Sequence, residues 1–299
     1  MGILNNMLVY GIQIMPKPLV KQFAKNYIAG DSLNDAISVI NKLWENNYFS
    51  TIDLLGEFVD GRFLAIKAKN DIIDDILTIR RLNLPTYHSL KLTQLGIDVD
   101  KELCIENLKE ILTVAKQENV FVRIDMENTP YTTITLDIYK EMRKYFDNFG
   151  IVLQAYLYRT EQDIEELKDY KPNVRLVKGI YIEDKKYAIK DKQGIRNNYM
   201  KLLEKMIDYG YYVAIATHDD YLTNKAIEMI NQKGITKDKF EFQMLLGVRE
   251  KLREEIKNQG YKVTVYVPYG MDWYGYSIRR FKENPSVAMQ VAKSIFHIT

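Results

Sequence analysis

Tyr261-Lys-Val-Thr-Val-Tyr-Val-Pro-Tyr-Gly270, followed by Met271-Asp-Trp-Tyr-Gly-Tyr-Ser-Ile-Arg-Arg-Phe-Lys-Glu-Asn-Pro285, is the stretch from which the fold can be read. Its first half alternates apolar and polar residues up to a Pro-x-Gly break, the period of a strand running into a turn. The second half has helical spacing and stops at Asn284-Pro285. On that helix Tyr276 lies one turn before both Arg279 and Arg280, with Glu283 one turn further on. Two guanidinium forks beside an aromatic ring, just past a strand end, suit a small carboxylate with an apolar body. A solvated basic helix end is the alternative reading.

The same strand-then-helix pattern runs through the chain from residue 50 onward. Strands are predicted over 51–55, 87–91, 120–125, 151–155, 174–177, 212–216, 240–245 and 262–267. Helical spacing falls between them, over 71–82, 101–117, 135–146, 161–170, 197–209, 222–232 and 248–258. Eight strand-helix units of roughly 30 residues each match a (β/α)8 barrel, an α/β fold of TIM type. A doubly wound open sheet is the competing arrangement. No G-x-G-x-x-G or G-x-x-x-x-G-K-[ST] follows the first strand, which counts against its common nucleotide-binding versions.

Upstream, residues 1–47 read as a helical arm. A periodic run over 19–28 ends at Gly30, and Ser32-Leu-Asn-Asp35 opens a second helix with Ala36, Val39, Ile40 and Leu43 on one face. The barrel domain then takes 48–299, with a last helix over 286–296 packed beside it.

Composition removes several classes of function. A net charge of +2 leaves no electrostatic footprint for nucleic acid. The single cysteine, Cys104, excludes an intrachain disulfide framework and agrees with a reducing compartment. With only His88, His218 and His297 beside it, ligands for a transition metal are few. The opening MGILNNMLVYGIQIMPKP has no basic n-region, and residue 6 is Asn where a myristoylation signal needs Ser or Thr. The expectation is an intracellular protein, soluble or at most bound to a membrane surface.

Barrel chemistry belongs at the C-terminal strand ends. There the chain has Glu57, Lys91, Asp125 with Glu127, Gln154, Lys178, Thr217-His218, Gln243 and Tyr266. Arg175 lies inside the apolar run Val174-Arg-Leu-Val177, and an inward arginine needs a partner, Asp125 or a bound anion. Three chemistries can use such a rim. Lys91 or Lys178 could form a Schiff base. Asp125, Glu127 and His218 could hold a divalent metal. Or the rim could hold a phosphorylated cofactor, with Lys178-Gly179 and Thr217-His218 at its phosphates and Gln154 and Arg175 at its ring.

Eight motifs, in order, resemble the series of the bacterial proline dehydrogenases. They are Asp53-Leu-Leu-Gly-Glu57, Lys91-Leu-Thr-Gln-Leu-Gly96, Arg123-Ile-Asp-Met-Glu127, Gln154-Ala-Tyr-Leu-Tyr158, Arg175-Leu-Val-Lys-Gly179 with Tyr181, Ala216-Thr-His218, Phe242-Gln-Met-Leu-Leu-Gly247 and Tyr276-x-x-Arg-Arg-x-x-Glu283. The resemblance covers residues 50–285. It implies a distorted (β/α)8 barrel with non-covalent FAD. It implies oxidation of L-proline to Δ1-pyrroline-5-carboxylate, with hydride passing to flavin N5 and a membrane quinone reoxidising the flavin. The product would go on to a pyrroline-5-carboxylate dehydrogenase, and the protein would lie in the cytoplasm or peripherally on the inner face of the cell membrane. Nucleic acid and metal have no part in this chemistry.

Carried over by position, Arg279 and Arg280 resemble the carboxylate clamp and Lys91 the lysine that supports it. Tyr266, Tyr276 and Leu245 resemble the walls around the pyrrolidine ring, and Glu57 the acid that pairs with Arg279 and closes the site. Asp125 resembles the residue that orients the substrate side, and Arg175 the one beside flavin N5. Met126, Gln154, Val177, Lys178, Gly179, Ile180, Thr217 and His218 resemble flavin contacts. The chain departs from the family at Ile180, where alanine is usual, at Asp219-Asp220, where asparagine often comes first, and over 268–274. A flavin barrel of methylenetetrahydrofolate reductase type and a catalytically silent proline-binding barrel are the rival readings.

Overall fold

The computed structural model describes residues 24–277. Eight parallel strands close into a barrel in chain order: β1 (Phe49–Leu54), β2 (Thr86–Leu90), β3 (Val122–Ile124), β4 (Phe149–Gln154), β5 (Asn173–Val177), β6 (Tyr212–Ala216), β7 (Phe240–Leu245) and β8 (Val263–Tyr269). The ring is completed by β1 against β8, with Phe49 opposite Thr264 and Leu54 opposite Tyr269. Ahead of β1 lies α1 (Leu33–Glu45), and between successive strands lie α2 (Arg62–Arg81), α3 (Lys101–Gln117), α4 (Thr129–Met142), α5 (Thr160–Glu166), α6 (Lys192–Asp208), α7 (Asp220–Lys233) and α8 (Glu250–Asn258). A short 3-10 turn, Lys168–Tyr170, follows α5.

α1 begins with the expected capping box. Asp35 N donates to Ser32 Oγ at 3.3 Å, and Ser32 N donates back to Asp35 Oδ2 at 3.0 Å, so two orphan donors of the first turn are met. Its buried face, Ala36, Ile40 and Leu43, joins the main core around Ile52 of β1, while Val39 is half-buried. The helix is thus packed on the barrel wall. Residues 19–23 of the predicted 19–28 helix and all of the 286–296 helix fall outside the described residues.

Several predicted boundaries move, among them the start of α4 at Thr129 and of α6 at Lys192, and two have a clear physical reason. α2 starts at Arg62, well before residue 71, because alanines seat its first turns: Ala65 and Ala68 are buried, whereas Phe63 is 79% exposed. An apolar-periodicity reading follows the large side chains, and here they point away from the core. β8 runs on through Pro268, where a break was expected. Proline has no N–H to donate, but its carbonyl accepts from Ala29 N at 2.9 Å, and the strand's last carbonyl, on Tyr269, accepts from Leu55 N at 2.7 Å.

The barrel interior is polar. Alternate strand residues point to opposite faces, and Ile52, Leu90, Ile124, Ile151, Val213, Phe242 and Val265 lie in the apolar core. Ser89, Asp125, Arg175, Gln243 and Tyr266, from the opposite face, hydrogen-bond to one another across the barrel, and Asp53 accepts from Lys91. A barrel of this type is normally filled by branched apolar side chains. Buried charge is retained here at a desolvation cost, so its arrangement points to function.

Candidate active site

The arrangement centres on Arg175, at the middle of β5 and 5% exposed. Its Nη1 donates to Asp125 Oδ1 at 2.6 Å, Nη2 to Ser89 Oγ at 3.0 Å and Nε to Gln243 Oε1 at 2.6 Å. The Tyr266 ring lies 5.2 Å from the guanidinium carbon, and Tyr266 OH donates to Asp125 Oδ2 at 2.9 Å. Asp125 follows β3, with its N donating to Leu90 O at 2.8 Å, so its carboxylate stands at the C-terminal mouth. Arg175 therefore meets Asp125, the partner proposed from sequence. Burial pulls the guanidinium down, but Asp125, Tyr87 and Tyr266 together outweigh it and hold Arg175 well above the ordinary arginine range.

Lys91, just past β2, is gripped by Asp53. Its Nζ lies 2.9 and 3.0 Å from the two Asp53 oxygens and 3.9 Å from Asp125 Oδ2. Burial disfavours the ammonium, but Asp53, Asp125 and Glu57 together raise Lys91 well above the usual lysine range. Burial also raises Asp53, against the pull of Lys91. A lysine held charged in this way is a poor nucleophile, which argues against Schiff-base chemistry at Lys91.

Tyr266 and Tyr276 pack in one apolar cluster with Leu55 and Trp273. Leu245 ends β7, and its N donates to His218 Nε2 at 2.9 Å. Glu57 is half-buried in the loop after β1. Arg279, Arg280 and Glu283 lie outside the described residues.

The neighbouring strand ends form a second set of groups. Gln154 ends β4, and its Nε2 donates to Glu127 O at 2.9 Å. Met126 is packed into the main core. Beyond β5, Val177, Lys178, Gly179 and Ile180 are all half-buried, and the Lys178 side chain is 40% exposed. Gly179 has φ +111°, and a Cβ there would collide with the Tyr156 ring. The Gly179 backbone thus lies directly against the Tyr156 ring, an approach only glycine allows. Thr217 Oγ1 accepts from Asp219 N at 3.2 Å and so keeps its own proton to donate. His218 accepts at Nε2, which places the proton of the neutral imidazole on Nδ1. Amide, hydroxyl, imidazole and ammonium donors around a close-approach glycine fit the ring carbonyls and phosphates of a flavin dinucleotide.

Asp125, Glu127 and His218 are not brought together. Glu127 turns to Thr93, accepting from its N at 3.1 Å and its Oγ1 at 2.5 Å. Among the described residues no group of three His, Cys, Asp or Glu is placed to hold a metal.

Sequence reasoning missed four members of this site. Asp53 opens the first motif, and its sequence signal is a carboxylate alternating inward beside Lys91. Gln243 was placed at the rim but not recognised as an Arg175 partner. Asp219 was noted only as a departure, yet it accepts from Arg196 at 3.0 and 2.7 Å and lies 3.6 Å from Lys178 Nζ. Arg196 itself sits near the N-terminus of α6, where the helix dipole disfavours a cation. That misplacement was the available clue.

A closed (β/α)8 barrel with an ion-pair cluster at its mouth and a rim of ligand donors is the frame of a barrel oxidoreductase. The chain belongs to the proline dehydrogenase family: the family model described as Proline dehydrogenase matches residues 36–293. It is 43% identical over 263 residues to proline dehydrogenase 2 of Bacillus subtilis, covering 88% of this chain and 87% of that protein. It is 34% identical over 297 residues to the proline dehydrogenase of Deinococcus radiodurans, covering 95% and 96%. Among solved structures, proline utilization A from Bdellovibrio bacteriovorus, inactivated by N-propargylglycine, superposes with a TM-score of 0.82 at 25% identity. That alignment covers 88% of this chain and only 33% of the longer one. The protein is a flavin-dependent enzyme that oxidises proline, the first step of proline catabolism.

Proposed function

We propose that the protein is a monofunctional dehydrogenase of L-proline that binds FAD without a covalent bond and delivers electrons to a membrane quinone. The observation that carries this reading is the Asp125–Arg175–Tyr266–Lys91 cluster, which stands at the C-terminal mouth beside the donor rim. FAD, when bound, supplies the two-electron acceptor. In proline the ring carbon next to nitrogen gives up a hydride and the nitrogen a proton, so the C–N single bond becomes the double bond of Δ1-pyrroline-5-carboxylate.

The chain's task is placement and exclusion of water. Arg279 and Arg280 fix the substrate carboxylate in a fork, and Lys91 adds a charge that its two carboxylates keep protonated. Tyr266, Tyr276 and Leu245 bound the ring. Asp125, held by Arg175 and Tyr266, presents a carboxylate toward the substrate nitrogen. Glu57 closes the mouth by pairing with Arg279. Met126, Gln154, Val177, Lys178, Gly179, Ile180, Thr217 and His218 hold the cofactor. Cys104 is buried with its Sγ 3.6 Å from Leu92 O, and His218 Nε2 is engaged by Leu245, which favours non-covalent binding.

Exchange with a quinone places the protein in the cytoplasm, peripherally on the inner face of the membrane. No helix among the described residues is long and apolar enough to cross it. The product is the substrate of a pyrroline-5-carboxylate dehydrogenase. Anaerobic titration of the purified protein tests the whole reading. Flavin absorbance should bleach with proline, return with a quinone, and follow the small-molecule fraction after denaturation. A colourless protein that takes up no added FAD would sink it.

A further inference from the structure

A second charge is buried in the barrel interior beyond Gln243, outside the groups assigned to the substrate. Glu241, in β7, is 1% exposed. Its Oε2 accepts from Thr264 Oγ1 at 2.7 Å and from Lys262 Nζ at 2.9 Å, and its Oε1 accepts from Gln243 Nε2 at 2.5 Å. The second hydrogen of the Gln243 amide goes to Tyr87 OH, also at 2.5 Å. That leaves Gln243 Oε1 facing Arg175 Nε, at 2.6 Å.

The polarity of this chain has only one sense. An amide turned end for end would set its oxygen against the Glu241 carboxylate and its NH2 against the Arg175 guanidinium, acceptor on acceptor and donor on donor. The carboxylate of Glu241 therefore selects the amide orientation, and the amide in turn selects the guanidinium's. Burial opposes ionisation of Glu241, but Lys262, Thr264 and Gln243 outweigh it and leave the carboxyl below its ordinary range. A buried, neutralised and fully bonded charge of this kind rigidifies what it touches.

We propose that Glu241 is a positioning residue for proline oxidation, acting through Gln243 to hold the Arg175 guanidinium against Asp125 and Ser89. The inference rests on the reading of Arg175 as the group on the flavin side of the site.

The test is a double-mutant cycle on the flavin-loaded enzyme with Glu241→Gln and Arg175→Lys, following kcat, KM for proline and the flavin midpoint potential. Glu241→Gln should lower kcat about tenfold with KM within about twofold, as expected for an interaction that serves the transition state. It should also shift the potential in the same direction as Arg175→Lys. In the Arg175→Lys background the further loss should fall below about twofold, because coupled residues are not additive. Tyr87→Phe, which leaves the Glu241–Gln243 bond in place, should change kcat by less than about threefold. If Arg175→Lys leaves kcat and potential unchanged, the Arg175 reading fails and the relay with it. If Arg175→Lys matters but Glu241→Gln is silent or fully additive, the relay alone is overturned. Should Glu241→Gln fail to fold, Thr264→Val removes one donor to the same carboxylate and must show the same non-additivity in reduced form.

Discussion

Lys91 and Asp53 form a buried two-point ion pair, with Nζ 2.9 and 3.0 Å from the two carboxylate oxygens. Asp53 lies in β1 and Lys91 just past the adjacent strand β2, and the pair fixes the ammonium where Asp125 is its second counterion at 3.9 Å. Asp53 thus sets the position and charge of a residue proposed to bind the substrate.

Asp53→Asn should therefore be costly in two ways. Removing one partner of a buried pair typically costs about 3–5 kcal/mol, and the remaining counterion Asp125 should keep this case near about 3 kcal/mol. The Lys91 ammonium should swing toward Asp125 and raise KM for proline more than it lowers kcat. Urea unfolding and steady-state kinetics on the same preparation read both effects. Wild-type stability in the variant would show that the pair contributes nothing net.

Glu127 gives the fold a pH dependence with a definite sign. Burial, opposed by the two Thr93 hydrogen bonds and Lys91, pushes its carboxyl up to about 7 from an ordinary 4.5. The native state then binds more protons than the unfolded chain across that window, so this group's contribution to stability falls as pH rises through it. Glu127→Gln abolishes the titration. Between pH 5 and pH 8 the stability of the variant relative to wild type should move in its favour by about 2–3 kcal/mol. A difference that stays constant across pH would mean Glu127 titrates normally.

Gly179→Ala tests the close approach beside the rim proposed for the flavin. At φ +111° a side chain is strained, and its Cβ would enter the Tyr156 ring. The variant should lose at least about 2 kcal/mol of stability and should retain less flavin through gel filtration than wild type. Full flavin content with an unchanged melting temperature would remove Gly179 from the cofactor site.

The arginine pair that the sequence places after β8 is tested through the substrate. A charge-assisted hydrogen bond contributes roughly 1.5–3 kcal/mol, so Arg280→Met should raise KM for proline by about one to two orders of magnitude. Lysine at that position should rescue only in part, since an ammonium cannot reproduce the fork. Prolinamide, without the carboxylate, should be a poor substrate of the wild type. Steady-state oxidation with an artificial acceptor measures all three. Equal turnover of prolinamide and proline would reduce the pair to a solvated helix end.

The sequence by itself determined the elements and their order. Helix or strand is decided by local sterics and by the period of apolar residues. Lys101–Gln117, Tyr212–Ala216 and Phe240–Leu245 were accordingly legible to the residue. The motifs at the strand ends also put Lys91, Asp125, Gln154 and Thr217-His218 at the C-terminal face, because a parallel barrel presents all its strand C-termini together. What only the tertiary structure decided is which inward side chains meet. Arg175 reaches Gln243 across 68 residues of sequence and Ser89 across 86, and the strand register of the closed ring sets those pairings. The same holds for Asp53 with Lys91, for Arg196 with Asp219, and for Pro268 within β8. Asp53 and Pro268 depend on neighbouring strands, and Arg196 with Asp219 on the packing of α6 beside α7; a shift of one residue in register would turn the inward strand residues to the opposite face.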